Sequence, residues 1–423
     1  MQTSPSEIEA SAPAEMLKVY AFETSFSLRK LHRLSSHAAI VLLFMYLGTH
    51  TVRTAAEEEN TAASLNREAQ SQRLVVDLQE KDQRLVPAFF VFGDSLVDDG
   101  NNNYIPSLAR SNFYPYGIDF PLGATGRFCN GRTVVDLIGQ FLGLPFLPAY
   151  LNPKTQGSAI LSGVNYASAA GGILDSSGRN YVARLSFNQQ IENFKNSRQQ
   201  YVELLGGEEA TSEFLSKSIF AIVFGSNDYL NNYLINSTGL SQEYTPDAYR
   251  VMVADMFAEQ LVTLYGLGAR RFIVTGVGPL GCIPNVLATK SKDGHCVQYV
   301  NQLVQGFNAE VLQLVNELNS DPRFADGKFL YANVYNTFSA IVADPAKYGM
   351  KVLNEGCCGV GRNRGVLTCL PPLAKLCTDR GDHLFWDAFH PTEATNLILA
   401  SGIIDGDSSL IVPMNLRQLV SQG

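Results

Sequence analysis

Four short apolar runs punctuate the chain. Val86–Phe92 ends at Gly93, Ser218–Phe224 at Gly225 and Arg271–Val277 at Gly278, and Lys328–Tyr335 is the fourth. They are rich in β-branched and aromatic residues and show little apolar–polar alternation, which predicts strands of a parallel sheet covered on both faces. Longer segments of helical period lie between them. Ala248–Leu267 sets Met252, Met256, Leu261 and Leu264 at helical spacing, with Gly266 and Gly268 at its end. Tyr299–Leu318 repeats this with Leu303, Phe307, Val311, Leu314 and Leu318. Such stripes are read as core faces. Strand–helix–strand alternation predicts an α/β fold on an open, doubly wound sheet. Ligands in that architecture sit beyond the carboxyl ends of the strands. Chemistry is therefore expected at Gly93-Asp94-Ser95, Gly225-Ser226-Asn227-Asp228 and Gly278-Pro279-Leu280-Gly281.

The first 85 residues break the pattern. A basic cluster, Arg29-Lys30-Leu31-His32-Arg33, precedes an apolar run over 38–48, and Thr54-Ala55-Ala56 offers small residues beyond it. The run is shorter than the roughly 20 residues that a comfortable membrane span needs. It fits the apolar core of a secretory signal. The expected organisation is a leader over 1–56, a polar linker over 57–85 and one folded domain over 86–423. The expected destination is outside the cell, with an uncleaved leader anchoring the chain to a membrane as the alternative.

Composition adds limits. A chain of 423 residues, 46% hydrophobic and 17% charged, suits one large globular unit. Lys plus Arg is 32 and Asp plus Glu is 40, so the net charge of 32 − 40 = −8 argues against a nucleic-acid partner. Seven cysteines suggest an oxidising compartment. Cys282 and Cys296 flank one polar loop, while Cys357, Cys358, Cys369 and Cys377 crowd another. Six could form three local bridges, leaving Cys129 as a free, buried thiol; reduced core cysteines are the alternative. No histidine stands near the 357–377 cluster at ligand spacing, so no zinc site is expected. Asn236-Ser237-Thr238 is a glycosylation sequon, usable only on the secretory path.

The candidate chemistry lies at two distant places. Ser95 follows the first predicted strand at once, and a helix after it would aim backbone N–H groups at the serine oxygen. Val97 stands two residues beyond it, so the Gly-x-Ser-x-Gly elbow is absent. Almost three hundred residues later, Asp387-Ala388-Phe389-His390 places a carboxylate three residues before an imidazole. A hydroxyl, an imidazole and a carboxylate are the groups that serine acyl transfer needs. His32, His37 and His50 fall in the leader and His295 in a polar loop, so only His383 and His390 compete for the role. Asn227 could donate its amide to an oxyanion, and the small-residue run Asn165–Ile173 lets backbone approach a ligand. Taken singly, each has a plainer reading: a helix cap at Ser95, a surface cap at Asp387, a turn at Asn227 and a tight loop at 165–173.

Together these places resemble the plant GDSL esterase/lipase family within the SGNH hydrolase superfamily. The resemblance spans about 86–400. It is carried by Phe90-Val91-Phe92-Gly93-Asp94-Ser95-Leu96 and on to Asn103, by Thr125–Arg132, Gly163–Ser168, Gly225–Tyr229 and Gly276–Cys282, and by Phe385–Thr392. Cys129 stands where the family more usually has serine, and Asp99 where asparagine is common. The resemblance implies a three-layer α/β/α sandwich and a triad of Ser95, His390 and Asp387. It also implies an oxyanion hole from the Ser95 N–H, a glycine N–H (Gly172 rather than Gly171) and the Asn227 side chain. It further implies hydrolysis of acyl or lipid esters without cofactor or metal. The same triad would also serve an acyltransferase or polyester synthase, and the fold alone could serve a non-catalytic binding protein.

Overall fold

The five residues of β1 (Phe89–Gly93) are all buried, as continuous apolarity requires of a strand covered on both faces. The computed structural model describes residues 84–422. The expected leader, and all of the expected linker except Arg84 and Leu85, lie outside the described residues. Parallel to β1 run β2 (Ile219–Val223), β3 (Arg271–Thr275) and β4 (Lys328–Ala332). Further along the chain are β5 (Val352–Gly356), β6 (Cys358–Gly359), β7 (Lys375–Leu376), β8 (His383–Phe385) and β9 (Ile411–Val412). The main sheet has the order β1-β2-β3-β4-β9, with β9 antiparallel. On the free side of β1 the segment 162–168 runs alongside. Phe89 N–H donates to Ser162 O at 3.1 Å, Val91 N–H to Val164 O at 3.1 Å and Tyr166 N–H to Val91 O at 2.8 Å. Counted with it, the parallel order becomes second-first-third-fourth-fifth, which puts the switch point between β1 and β2.

Helices cover both faces. They are α1 (Val134–Phe141), α2 (Phe187–Leu205), α3 (Glu208–Lys217), α4 (Pro246–Gly266), α5 (Pro284–Thr289), α6 (Gln298–Ser320), α7 (Val334–Ala343), α8 (Glu393–Asp405) and α9 (Leu416–Ser421). α2 packs on α3 and α4, and α4 on α6; α8 packs on α1, α7 and α9. Neighbouring residues of one strand point to opposite layers. The Phe90 ring meets Phe194 at 5.5 Å and Tyr201 at 5.7 Å, both on α2. Phe89 turns the other way and faces Gly139 of α1. This is the three-layer α/β/α sandwich.

The differences from the sequence reading have local causes. The fourth apolar run was expected to continue as strand to Tyr335, but β4 stops at Ala332 because the Asn333 side chain accepts from Asn336 N–H and starts α7. The other strands are shorter than their runs by one to three residues at an end. In α4 the buried face is Tyr249, Val253, Phe257, Leu261 and Leu264, with Met252 and Met256 at its half-buried margin. That helix is apolar around much of its girth, with Val251 and Val262 exposed, so spacing finds Leu261 and Leu264 of the buried face but takes Met252 and Met256 from its margin. No helix follows Ser95. Residues 94–97 form a turn, and a 3-10 helix begins only at Asn101. The three local bridges are Cys282–Cys296, Cys357–Cys377 and Cys358–Cys369, and Cys129 is free and buried.

One buried ion pair fixes the loop next to the site. Arg127 donates from both Nε and Nη2 to Asp136 of α1 at 2.7 Å, and Asp99 lies 3.9 Å from the same guanidinium. Removing one partner of a buried pair leaves an uncompensated charge. Arg127→Ala is therefore expected to lower unfolding stability by about 3–5 kcal/mol in urea titration. A loss within about 0.5 kcal/mol, the range of an ordinary surface change, would contradict that account.

Candidate active site

Ser95 emerges where β1 ends, half-buried, at the switch point. Its Oγ lies 2.8 Å from His390 Nε2. On the far side of the ring, His390 Nδ1 lies 2.8 and 2.9 Å from Asp387 Oδ1 and Oδ2. An ionised carboxylate only accepts, so Nδ1 carries the proton and Nε2 is free to accept from the Ser95 hydroxyl. The two ends of the sequence pattern thus meet in one line. His383, the competing histidine, pairs with Asp382 at 2.7 Å on β8 and does not line the cleft.

Asp387 is sealed from solvent. Besides the imidazole it accepts Phe389 N–H at 2.8 Å, His390 N–H at 2.9 Å and the Tyr116 hydroxyl at 2.7 Å. Burial alone would raise its carboxyl pKa; His390 and these donors outweigh it and hold the group below the ordinary range. Its loop is tied down on several sides. Trp386 N–H donates to His390 O at 2.7 Å, Cys358 N–H to Trp386 O at 2.6 Å and Asn285 N–H to Ala388 O at 2.9 Å. The two bridges of the 357–377 loop therefore brace the segment that carries Asp387. The Phe128 ring lies 4.9 Å from that of His390 and limits its rotation.

Without a helix after Ser95, a polar network fixes the turn. Gln190 of α2 accepts Gly93 N–H at 3.0 Å and donates to Gly93 O at 2.8 Å. Asp98 accepts Gly100, Asn101 and Ala169 N–H groups at 2.8, 2.8 and 2.9 Å. Asn101 donates to Asn165 O and Ala167 O, and Asn102 to Ala109 O and Ala169 O. The run 165–170 is thereby held beside Ser95. The Asn227 amide donates to Gly171 O at 2.9 Å and to Asp94 Oδ2 at 3.3 Å, and it lines the cleft.

Gly171 N–H is bonded to Ser168 O at 2.9 Å, and Gly172 packs against Ser177 and Asp228; neither lines the cleft. Ala170 does line it, at a φ of 66°. Its N–H, like that of Ser95, has no acceptor among the described residues. A left-handed alanine costs about 1–2 kcal/mol and persists only where its surroundings impose it. Nothing in a run of small residues marks which one turns its N–H to the cleft. Tyr116 was equally hidden, since it lies 271 positions from the carboxylate it serves.

The cleft has a cavity of about 160 Å³ with mostly apolar walls. No cluster of three metal-ligating side chains occurs among the described residues. Asn236 is exposed on a 3-10 turn. No helix among the described residues is long and apolar enough to cross a membrane. The arrangement supplies a hydroxyl with an adjacent base and an ionised orienter behind that base, in a cleft that Ala170 and Asn227 also line.

Comparison with known proteins finds relatives over most of the chain. The sequence profile of the GDSL-like Lipase/Acylhydrolase family matches residues 89–403. GDSL esterase/lipase At1g71691 of Arabidopsis thaliana is 48% identical over 347 residues, covering 82% of this chain and 88% of the relative. GDSL esterase/lipase 7 of the same plant is 48% identical over 341 residues, covering 80% and 93%.

Asp94, beside Ser95, is buried, and burial pushes its carboxyl up to about 7 against the pull of Leu96 N–H and His390. Asp98 is pushed up to about 6 by the same cause. Between the ordinary value of 3.8 and the raised one, the folded protein keeps a proton that the unfolded chain has released. Stability from these groups therefore falls as pH rises through that window. The thermal midpoint of Asp94→Asn should drop less than that of the parent between about pH 5 and about pH 8. Equal drops would contradict the assignment.

Proposed function

The chain belongs to the GDSL-like lipase/acylhydrolase family and is a carboxylic ester hydrolase, and we propose that Ser95 is its nucleophile, His390 its general base and Asp387 the group that orients and charges the base. The observation that carries this reading is the unbroken hydrogen-bonded line from the Ser95 hydroxyl through His390 to a sealed carboxylate. Such a line splits hydrolysis into two easier displacements.

In the first step the Ser95 proton passes to His390 Nε2 as Oγ bonds to the ester carbon. The carbonyl π electrons move to oxygen. The proposed donors to that oxyanion are the Ser95 N–H, the Ala170 N–H and the Asn227 amide, with Ala170 taking the place first expected of Gly172. Losing one such donor typically costs about 3 kcal/mol of transition-state stabilisation. Collapse breaks the bond to the alcohol oxygen, which leaves with the proton from His390. Water then gives a proton to the same nitrogen and attacks the acyl–Ser95 carbon; collapse breaks the bond between that carbon and Oγ, the His390 proton returns to Oγ, and the acid is released. Asp387 stays ionised and favours the imidazolium formed in each step.

The three bridges and the exposed sequon support secretion with glycosylation at Asn236. The leader over 1–56 would supply the signal.

Ser95→Ala should reduce p-nitrophenyl ester turnover by at least about a thousandfold with unchanged circular dichroism. Activity within about tenfold of the parent would overturn the assignment. Tyr116→Phe removes one hydrogen bond to a charged group, so kcat/KM should fall about tenfold. An unchanged kcat/KM would contradict a role for Tyr116 through Asp387 and His390.

A further inference from the structure

The cleft continues well past the chemistry. Beyond Asn227 its walls come from the end of β3 (Val277, Gly278), from α7 (Val334, Phe338) and from α8 (Leu399, Ile403). These residues carry no charge. Phe338, Leu399 and Ile403 are themselves buried, so this end is blind, whereas Leu108 at the other end is 72% exposed. Gly278 keeps the passage clear. A Cβ there would stand 3.4 Å from the Phe338 ring and 3.8 Å from Val334, so a longer side chain would crowd these two walls of the passage and meet side chains rather than backbone.

The reach can be estimated from the sheet. From β1 to β4 there are three interstrand steps of about 4.8 Å, roughly 14 Å in all. An extended hydrocarbon advances about 1.3 Å per C–C bond, so about ten methylenes cover the distance. A charged acyl group would lie unpaired against these walls. A single aromatic ring would fill only the first part. The fragment that stays bonded to Ser95 while water arrives belongs at the blind end, and the fragment that must depart belongs at the open one.

We propose that this passage is an acyl-chain subsite, and that the ester substrate carries an unbranched aliphatic acyl group of roughly 8 to 12 carbons with its methyl end against Phe338, Leu399 and Ile403. This rests on the reading of Ser95 as nucleophile. Each buried methylene then raises kcat/KM by about three- to fourfold until the blind end is reached.

The test is kcat/KM for p-nitrophenyl acetate, decanoate and cinnamate, with octyl acetate to lengthen the alcohol side instead. Each would be measured on the parent, Gly278→Leu and Ile403→Phe. The parent should prefer decanoate to acetate by at least about a hundredfold, and each variant should cut that ratio at least about tenfold. Acetate turnover reports that each variant has folded, and the two variants narrow the passage from opposite walls. A flat chain-length profile, a preference for cinnamate or octyl acetate, or an unchanged ratio in both variants would overturn the subsite and leave the esterase reading standing. No turnover of any ester by the parent would overturn both.

Discussion

Asp387 has no contact with water, and a carboxylate in that position stays ionised only if donors surround it. Four do: the His390 ring, the N–H groups of Phe389 and His390, and the Tyr116 hydroxyl. Much of the surrounding structure follows from that need. The 386–390 loop has to curl so that its own backbone faces the carboxylate. Tyr116 has to arrive from a distant loop, and it packs on Trp386 at 6.2 Å. The 357–377 loop, closed by two bridges, holds the curl from behind. Once the carboxylate is fixed and charged, the imidazole has one favourable tautomer and one orientation, and Nε2 points to Ser95.

Ser95 is positioned by a different device. A helix after the first strand would have aimed its N-terminal N–H groups at the serine. The chain instead makes a turn and relies on Gln190 to hold the end of β1, and on Asp98, Asn101 and Asn102 to tie the segment after it to the 165–170 run. Side-chain amides and buried carboxylates thus supply the ordering of the turn. Asp94 and Asp98 are held in surroundings that raise their pKa values, so the ordering of this corner has a cost in stability near neutral pH.

The sheet was legible in the sequence because strands buried on both faces write themselves as unbroken apolar runs, and glycine marks where three of the four runs end. The candidate triad was legible because two of its members share one short segment, Asp387 to His390, and the third closes the first strand. Tyr116 was not, since a hydrogen bond across 271 positions leaves no local pattern. Nor was Ala170: its left-handed backbone is imposed by neighbours rather than by its own residue type, so the eye falls on the glycines beside it. The end of β4 was misread because Asn333, a weak signal inside an apolar stretch, decides where helix replaces strand. The buried face of α4 was legible only in part, at Leu261 and Leu264, because that helix is apolar on more than one side.

The central claim is that the Ser95 hydroxyl, alone among the many serines of the chain, is driven to attack by His390 and Asp387. Its most direct test is reaction of the folded protein with a fluorophosphonate, followed by intact mass and peptide mapping. The account predicts one adduct per chain, on Ser95, and none on protein unfolded in urea. No adduct on the folded protein, or an adduct on another residue, would contradict it.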